Sequence, residues 1–403
     1  MRWLLRVVGR PIPGAAVSAH FDRHVLAQAQ PAEVSGALVG TGQLHFVSVT
    51  SSQLRSLVAV VRAGRSQRLN LSLAVDAQGL ISDLSLRASV PPAPTSWAGV
   101  DQAVRSAAPE VRLLVAEVTN GTCRPIHMID ADTPAPLASV FKLYLLDALA
   151  EAIASGQVTW DEKLTITDQV RNFSSDALHD KPDGTRVSVR DVADAMISVS
   201  DNTATDMLIA RLGRTAVEAA MRSAGMADPS LDTPFLTSRE VFTLTLHEWP
   251  KLAARYLALG TAGRRALLAS TVDRVALASL DRSSLGTPRD VDSIGSFGSA
   301  SDVCRVYASL ANFARRPELA GIAHALAIDD GGLDLNRRQW QSVWFKGGLD
   351  GGVLAGAYLA TNRSGRTYVV IVLTENPSAP IPKTTTAPIL ISAVKGALAL
   401  AAR

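Results

Sequence analysis

The sequence predicts an α+β protein in two parts, and three observations support this class. Strand-like segments at 111–132 and 351–375 enclose a long stretch of helical character, and a Pro-rich stretch, VPPAPTS, lies upstream. Strands at both ends of a helical region predict an antiparallel sheet beside a helical lobe. We therefore expect a small α+β domain at 1–90, a linker at 91–96 and a larger domain at 97–403.

The bulk composition is that of a folded protein without an obvious macromolecular partner. Of 403 residues, 47% are hydrophobic and 19% are charged, and the formal net charge is only +3. The sequence has no run of Lys and Arg of the kind that binds nucleic acid. It also has no run of about twenty apolar residues, so we expect no membrane span. The start, MRWLLRVVGRP, lacks the apolar core of a signal peptide, which leaves localisation open.

The first domain reads as helices followed by strands. Residues 14–40 predict two short helices, and LNLSLAVD alternates with Leu69, Leu71, Leu73 and Val75 on one face. LISDLSLR continues the sheet after a turn. We interpret this domain as a packing or substrate-shaping module, because none of its residues stands out as catalytic.

The second domain begins with a predicted β-hairpin whose tip is Asn120-Gly121. A mainly helical region follows from Pro136 to about residue 328. Two closing strands, GGVLAGAYLAT and TYVVIVLTE, precede a last helix at 388–403. These strands are expected to pair with the hairpin in a single sheet.

The cysteines and histidines predict neither a disulfide framework nor a metal site. Cys123 and Cys304 are far apart in sequence, so we expect two partly buried free thiols. His20 and His24 have helical spacing, but no third ligand accompanies them. We expect no metal and no cofactor.

The stretch PLASVFKL places Ser139 and Lys142 one helical turn apart in an apolar helix. Burial disfavours the charge of a lysine, so a buried lysine can accept the proton of a nearby serine and create a nucleophile. A surface lysine whose stem covers apolar residues is the structural alternative.

Two further segments carry polar residues in apolar surroundings. Ser200-Asp201-Asn202 interrupts a helical pattern, which predicts a short polar loop or a helix cap. Lys346-Gly347-Gly348 enters the first closing strand, where glycines permit close approach of a ligand to the backbone. A glycine-rich turn with a solvated lysine is the alternative there.

The order Ser-x-x-Lys, Ser-Asp-Asn, then Lys-Gly-Gly resembles that of the penicillin-recognising serine enzymes. Over 97–403 the chain is similar to class A β-lactamases, including the spacing of about sixty residues between the first two motifs. The two-domain plan resembles a serine hydrolase encoded with clavulanic acid biosynthesis and a group of mycobacterial lipoproteins. That likeness implies a cystatin/NTF2-like first domain, as in steroid isomerases and polyketide cyclases.

The resemblance implies roles for three catalytic residues. Ser139 would be the acylated nucleophile, Lys142 its proton acceptor, and Ser200 a proton relay to the leaving group.

It also implies four substrate-binding positions. Asn202 would hold a substrate amide and Lys346 a substrate carboxylate, while Gly348 would let the substrate approach the backbone. The backbone N–H groups of Ser139 and Leu349 would form the oxyanion hole.

Two departures from the family pattern affect the expected chemistry. Gly347 stands where the family has a hydroxyl, which removes one hydrogen bond to a substrate carboxylate. The Glu-x-x-Leu-Asn loop, whose glutamate activates the hydrolytic water, is absent from GMADPSLDTPFLTSREV. Asp232 is the nearest carboxylate that could replace this glutamate. We interpret Glu240 as a structural residue of the following helix. The extra segment TVDRVALASLDRSSLGTPRDVDSIGSFGSAS forms either a cleft wall or a surface loop.

The sequence therefore predicts a serine hydrolase of β-lactamase type with slow deacylation. The alternatives are a D-alanyl-D-alanine peptidase or esterase, and a binder that traps a β-lactam or peptidoglycan fragment without turnover. The expected partner is a small molecule (a β-lactam, an ester or a D-amino-acid peptide), and we expect a monomer or weak dimer. The resemblance to this family favours export of the protein from the cytoplasm.

Overall fold

A computed structural model describes residues 1–64, 67–172 and 178–403 of the chain. Within these residues the chain forms two compact units, Met1–Pro91 and Pro92–Arg403. Each unit has its own β-sheet and its own hydrophobic core.

The first unit combines short helices with one antiparallel sheet. Its helices are α1 (Arg2–Val7), α2 (Gly14–Ser18), α3 (Arg23–Gln28) and α4 (Pro31–Gly40). Its strands are β1 (Leu44–Ser52), β2 (Ser56–Ala63), β3 (Gln67–Val75) and β4 (Ile81–Ala88), and they pair in chain order. The likeness of this unit to cystatin/NTF2-like domains stays a prediction.

Alternation in β3 decides which face of this sheet is buried, as the sequence predicts. Leu69, Leu71 and Leu73 all belong to the core, while Val75 is only half-buried, because the pairing with β4 is irregular between Ala74 and Val75. The prediction of two helices over 14–40 is wrong, because three form there. Asp22 caps α3 by accepting a hydrogen bond from Val25 N at 2.9 Å, and Pro31 begins α4.

The second unit is built on a five-stranded antiparallel sheet. The strands of the whole unit are β5 (Glu110–Thr119), β6 (Thr122–Ile129), β7 (Ala135–Pro136), β8 (Lys163–Thr165), β9 (Arg186–Ser188), β10 (Phe297–Gly298), β11 (Trp340–Asp350), β12 (Val353–Asn362) and β13 (Thr367–Glu375). The main sheet has the order β11-β12-β13-β5-β6, while β7 pairs with β10 and β8 with β9. The predicted joining of early and late strands in one sheet is confirmed.

The hairpin between β5 and β6 is also confirmed. Asn120 and Gly121 have φ angles of 51° and 75°, the left-handed conformation that these two residue types adopt most readily. The two predicted closing strands are confirmed as β12 and β13, but the prediction that Lys346-Gly347-Gly348 enters the first of them is wrong. Lys346, Gly347 and Gly348 lie within a separate strand, β11, whose alternation the two glycines hide in the sequence.

Helices cover both faces of the main sheet. They are α5 (Trp97–Arg105), α6 (Lys142–Ala154), α7 (Val189–Ser198), α8 (Asn202–Leu212), α9 (Arg214–Ser223), α10 (Ser238–Leu246), α11 (Lys251–Leu257), α12 (Thr261–Ser270), α13 (Ala300–Phe313), α14 (Ala320–Ala327) and α15 (Lys383–Ala401). Helix α6 is apolar on nearly all sides and almost wholly buried. It therefore forms the centre of the helical lobe and fixes the position of Lys142 at its first turn.

The last helix, α15, covers the opposite face of the sheet together with α5. By length and composition it could cross a membrane, yet half of the apolar window that meets this criterion is buried inside the unit. Core helices of globular domains have the same composition. Ser392 on α15 donates a hydrogen bond to Pro92 O at 2.9 Å, which attaches the Pro-rich segment to this helix.

A disulfide bond joins Cys123 on β6 to Cys304 on α13, with the Cα atoms 6.3 Å apart. The prediction of two free thiols is therefore wrong. The two residues are separated by 181 positions, and only the packing of α13 against the sheet brings them together. A pairing between distant segments of this kind has no signal in the sequence spacing.

We expect Cys123→Ser to lower the free energy of unfolding by about 2–4 kcal/mol, because the bond restricts the unfolded chain. Urea denaturation with and without a reducing agent checks this. The reductant should destabilise the wild type and leave the variant unchanged. Equal midpoints for the two oxidised proteins would contradict the expected role of the bond.

Candidate active site

Ser139 lies in a short 3-10 turn, Ala138–Phe141, between β7 and α6. Ala138 has a φ of 42°, a strained value for a residue with a Cβ atom. Leu137 N donates to Ser296 O at 2.8 Å, which attaches this turn to the strand pair β7–β10. The turn holds Ser139 at the surface of a cavity while α6 continues into the core.

Lys142 is the first residue of α6, and its side chain is fully buried. Its Nζ donates hydrogen bonds to Ser200 O at 2.6 Å, to Ser200 Oγ at 3.2 Å and to Asn202 Oδ1 at 2.8 Å. The alternative of a surface lysine with a solvated head is thus wrong. The serine-lysine pair and the Ser-Asp-Asn segment meet at this amine.

The Ser-Asp-Asn segment is the predicted polar loop and also a helix cap. Ser200 has a φ of 62°, which turns the chain sharply between α7 and α8. Asp201 is buried and caps α8, where its Oδ1 accepts from Ala204 N at 2.8 Å and its Oδ2 from Leu178 N at 3.2 Å. This capping fixes the loop so that Ser200 and Asn202 face Lys142.

Lys346 reaches the same serine from the sheet. Its buried Nζ donates to Ser200 Oγ at 3.0 Å and to Gly347 O at 2.8 Å. The Ser200 hydroxyl therefore lies between two lysine amines, one from α6 and one from β11. The alternative of a solvated lysine in a glycine-rich turn is wrong.

Gly348 allows β11 to lie against the Ser139 turn. A Cβ atom at this position would stand 2.5 Å from Leu137 O and 3.2 Å from Ser139 N. Only glycine fits so close to backbone atoms. Leu349 follows at the border of the cavity with half of its surface exposed.

A cavity of about 410 Å³ opens beside Ser139. Asn202, Leu349 and Asp350 also line it, and most of the remaining lining is apolar. The apolar side chains include Phe141, Leu236, Val241, Phe242, Leu285 and Ile294. This volume suits a small organic molecule that is largely apolar.

The extra segment of the sequence forms part of this cavity, so the cleft-wall interpretation is confirmed. Leu285, Gly286, Val291, Ile294 and Ser296 line the cavity. We call residues 281–296 the cavity wall. It reaches the turn after β11, where Gly351 contacts Gly286 so closely that a Cβ atom on Gly351 would lie 2.7 Å from Gly286 O.

The two carboxylates considered from sequence lie elsewhere. Asp232 is buried behind β10, where Oδ1 accepts from Phe297 N at 2.8 Å, and burial raises its pKa well above the ordinary value. Glu240 is structural, as predicted, because it caps α10 through Thr237 N and pairs with Arg214 at 2.7 Å. Neither Asp232 nor Glu240 lines the cavity.

Sequence reasoning missed Asp350, which borders the cavity two residues after Gly348. Its signal was present, since residues two apart in a strand project to the same face. It also missed Ser238, whose buried hydroxyl has no hydrogen-bond partner among the described residues and lines the same cavity.

Comparison with known proteins supports the resemblance to β-lactamases. Residues 99–279 match the model of the β-lactamase enzyme family, a range that includes Ser139, Lys142, Ser200 and Asn202. No curated protein sequence matches the chain.

Solved structures are similar to the chain over most of its length. A β-lactamase from Sphaerobacter thermophilus superposes with a TM-score of 0.53 and 19% identity, covering 76% of this chain and 97% of that one. A putative class A β-lactamase, PenP from Rhodopseudomonas palustris, superposes with a TM-score of 0.50 and 21% identity, covering 76% of this chain and 100% of that one. The chain has a β-lactamase-like fold. A point mutant of PBP-A, solved as an acyl-enzyme complex with penicillin G, superposes with a TM-score of 0.50 and 17% identity, covering 77% of this chain and 99% of that one.

The β-lactamase-like fold confirms the predicted fold class and the predicted family resemblance. The roles of individual residues rest on the contacts described above.

We expect Gly348→Ala to reduce acylation of Ser139 by about 10²–10³-fold, because the added methyl pushes β11 away from the Ser139 turn. Labelling with a fluorescent penicillin measures this rate. Gly260→Ala is the matched control, since nothing lies within 4 Å of a Cβ atom there. Unchanged labelling of Gly348→Ala would show that this close contact is dispensable.

Proposed function

We propose that this protein is a serine hydrolase that forms an acyl-enzyme on Ser139 and acts on β-lactam amides or esters. The family match and the structural neighbours support a serine β-lactamase-like hydrolase. The observation that carries the finer proposal is the Ser200 hydroxyl between Lys142 Nζ and Lys346 Nζ, at 3.2 and 3.0 Å. Three segments far apart in sequence meet there beside Ser139.

In the proposed acylation, Lys142 Nζ takes the proton from Ser139 Oγ while Oγ attacks the substrate carbonyl carbon. Lys142 would act as the base in its neutral form, which burial and the neighbouring Lys346 amine favour and which keeps only two of the three donated hydrogen bonds. The tetrahedral intermediate then loses its leaving nitrogen or oxygen, which receives the proton of Ser200. The contact between Lys142 and Ser200 gives that proton a path back to the serine.

The substrate would be held by residues around the cavity. The N–H groups of Ser139 and Leu349 would stabilise the oxyanion, with Gly348 keeping the strand close enough. Asn202 would hold an amide of the acyl side chain, and Lys346 would attract a carboxylate.

We propose that deacylation is slow for β-lactams. The chain lacks the Glu-x-x-Leu-Asn loop, and both Asp232 and Glu240 are engaged in structural contacts away from the cavity. A positioned general base typically contributes about 10²–10⁴-fold to such a step.

Ester hydrolysis is the second candidate, and Gly347 favours it. A hydroxyl at this position would bind the substrate carboxylate, and glycine has none. Simple esters need no such contact. A D-alanyl-D-alanine peptidase and a binder without turnover would use the same acylation machinery and differ only in the fate of the adduct.

We expect wild-type protein mixed with a chromogenic cephalosporin to gain the mass of one acyl group, and Ser139→Ala to gain none. Intact mass spectrometry over time, with absorbance of the released chromophore, measures both steps. Ser293→Ala, an exposed serine in the cavity wall that bonds Asp292, is the control and should acylate normally.

The time course separates the candidates. Steady chromophore release indicates a hydrolase, while one equivalent of chromophore with a lasting adduct indicates a binder. If the wild type gives neither an adduct nor chromophore with β-lactams, short-chain esters and D-alanyl-D-alanine peptides, the proposed function is wrong.

We expect Gly347→Ser to lower KM for carboxylate-bearing β-lactams by roughly five- to thirtyfold, because one hydrogen bond of about 1–2 kcal/mol is restored. An added Cβ atom would lie 2.8 Å from the Phe345 ring, so that ring, which packs against Tyr358, must shift slightly to admit it. Initial rates measure KM. A neutral ester serves as the control substrate and should show no change.

A further inference from the structure

We propose that Asp350 activates the water that hydrolyses the acyl-enzyme on Ser139. The inference rests on the proposed function, since it concerns the second half of the same reaction. It assigns the deacylating carboxylate to β11 of the sheet rather than to a loop of the helical lobe.

The direction of the Asp350 side chain follows from strand geometry. Lys346, Gly348 and Asp350 alternate along β11, so their Cβ positions lie on the same face of the strand. On that face Lys346 reaches Ser200, and the Cβ position of Gly348 points to within 3.2 Å of Ser139 N. Asp350 therefore projects toward the layer that holds Ser139.

The separation between Asp350 and Gly348 suits a bridging water. Two residues along a strand span about 7 Å, at roughly 3.3 Å per residue. Gly348 contacts the Ser139 turn directly and Asp350 lines the same cavity as Ser139, so we infer room for one water between the Asp350 carboxylate and an acyl group on Ser139. Part of Asp350 is exposed and solvent can supply this water, while the carboxylate itself lies among protein atoms.

Asp350 is the only acidic residue among the described residues that line the cavity. Its neighbours include the apolar Val241, Phe242, Leu285 and Ile294, and two basic side chains, Lys383 in this cavity and Arg289 in the smaller pocket that Asp350 also lines. Among the described lining residues, Asp350 therefore supplies the one carboxylate near an acyl group on Ser139.

The carboxylate is held in place and is a stronger base than an ordinary aspartate. Gly351 N donates to Asp350 Oδ1 at 2.7 Å, which fixes the orientation of the group. The protein atoms around it raise the pKa of Asp350 by desolvation, and the bond from Gly351 opposes this to a smaller extent. A higher pKa strengthens the base form.

The proposed step conserves atoms and charge. Asp350 takes one proton from water, and the water oxygen bonds to the acyl carbon. The tetrahedral intermediate collapses, the bond from carbon to Ser139 Oγ breaks, and Oγ receives the proton back from Asp350. The product is a carboxylic acid, and both side chains return to their starting states.

The test compares Asp350→Asn with wild type after a short pulse of penicillin G and removal of the free compound. Intact mass gives the acylation rate and the lifetime of the adduct. We expect Asp350→Asn to acylate within about threefold of wild type and to lose its adduct at least about 10²-fold more slowly. Asp292→Asn, an exposed carboxylate in the cavity wall, is the matched control and should behave as wild type.

Two further readouts exclude a merely structural role. Deacylation of the wild type should speed up as pH rises through the titration of Asp350, because the ionised form is the base, and Asp350→Asn should lose this dependence. Asp350→Glu, which keeps a carboxylate, should lose its adduct faster than Asp350→Asn.

The outcomes are distinct. Equal adduct lifetimes for wild type and Asp350→Asn, or a failure of Asp350→Asn to acylate while wild type does, would overturn the inference. If wild type forms no adduct on Ser139 with penicillin G or with an ester, the proposed function fails first and this inference falls with it.

Discussion

The hydroxyl of Ser200, held between two buried lysine amines, is the interaction on which the arrangement of the second unit depends. Lys142 comes from the central helix and Lys346 from the sheet, so the shared contact fixes the helical lobe against β11. Burying two lysine amines is unfavourable unless each finds hydrogen-bond acceptors. Here the loop between α7 and α8 supplies Ser200 O, Ser200 Oγ and Asn202 Oδ1. The loop in turn depends on the Asp201 cap, which makes this aspartate as important for geometry as its neighbours are for chemistry.

Much of this site could be predicted from the sequence, because its motifs are short and local. Ser139 and Lys142 share one turn, and a polar triplet inside an apolar pattern identifies Ser200 and Asn202. Other features depend on contacts between distant segments, which no local pattern records. The bond between Cys123 and Cys304 is one. The separate strand β11 is another, since its central glycines remove the alternation that reveals a strand.

The cavity shows how a missing loop changes the chemistry available to a shared fold. The short segment before α10 leaves space beside Ser139, and apolar side chains such as Phe242 and Ile294 fill its border. The carboxylate that remains there, Asp350, comes from the strand that also carries the substrate-binding positions. Acylation and hydrolysis would then depend on one strand and its contact with the Ser139 turn, so both steps should respond together to any movement of β11.

The cavity wall meets the turn after β11 with main chain close to main chain, at Gly286 and Gly351. Side chains of the wall, such as Leu285 and Val291, point into the cavity and carry none of this contact. Substitutions among them can therefore reshape the pocket while the reactive groups keep their positions. The residues that hold the wall in place therefore differ from those that line the cavity. If the proposed hydrolase activity holds, single amino-acid changes in the wall give a route to new substrate preferences during evolution.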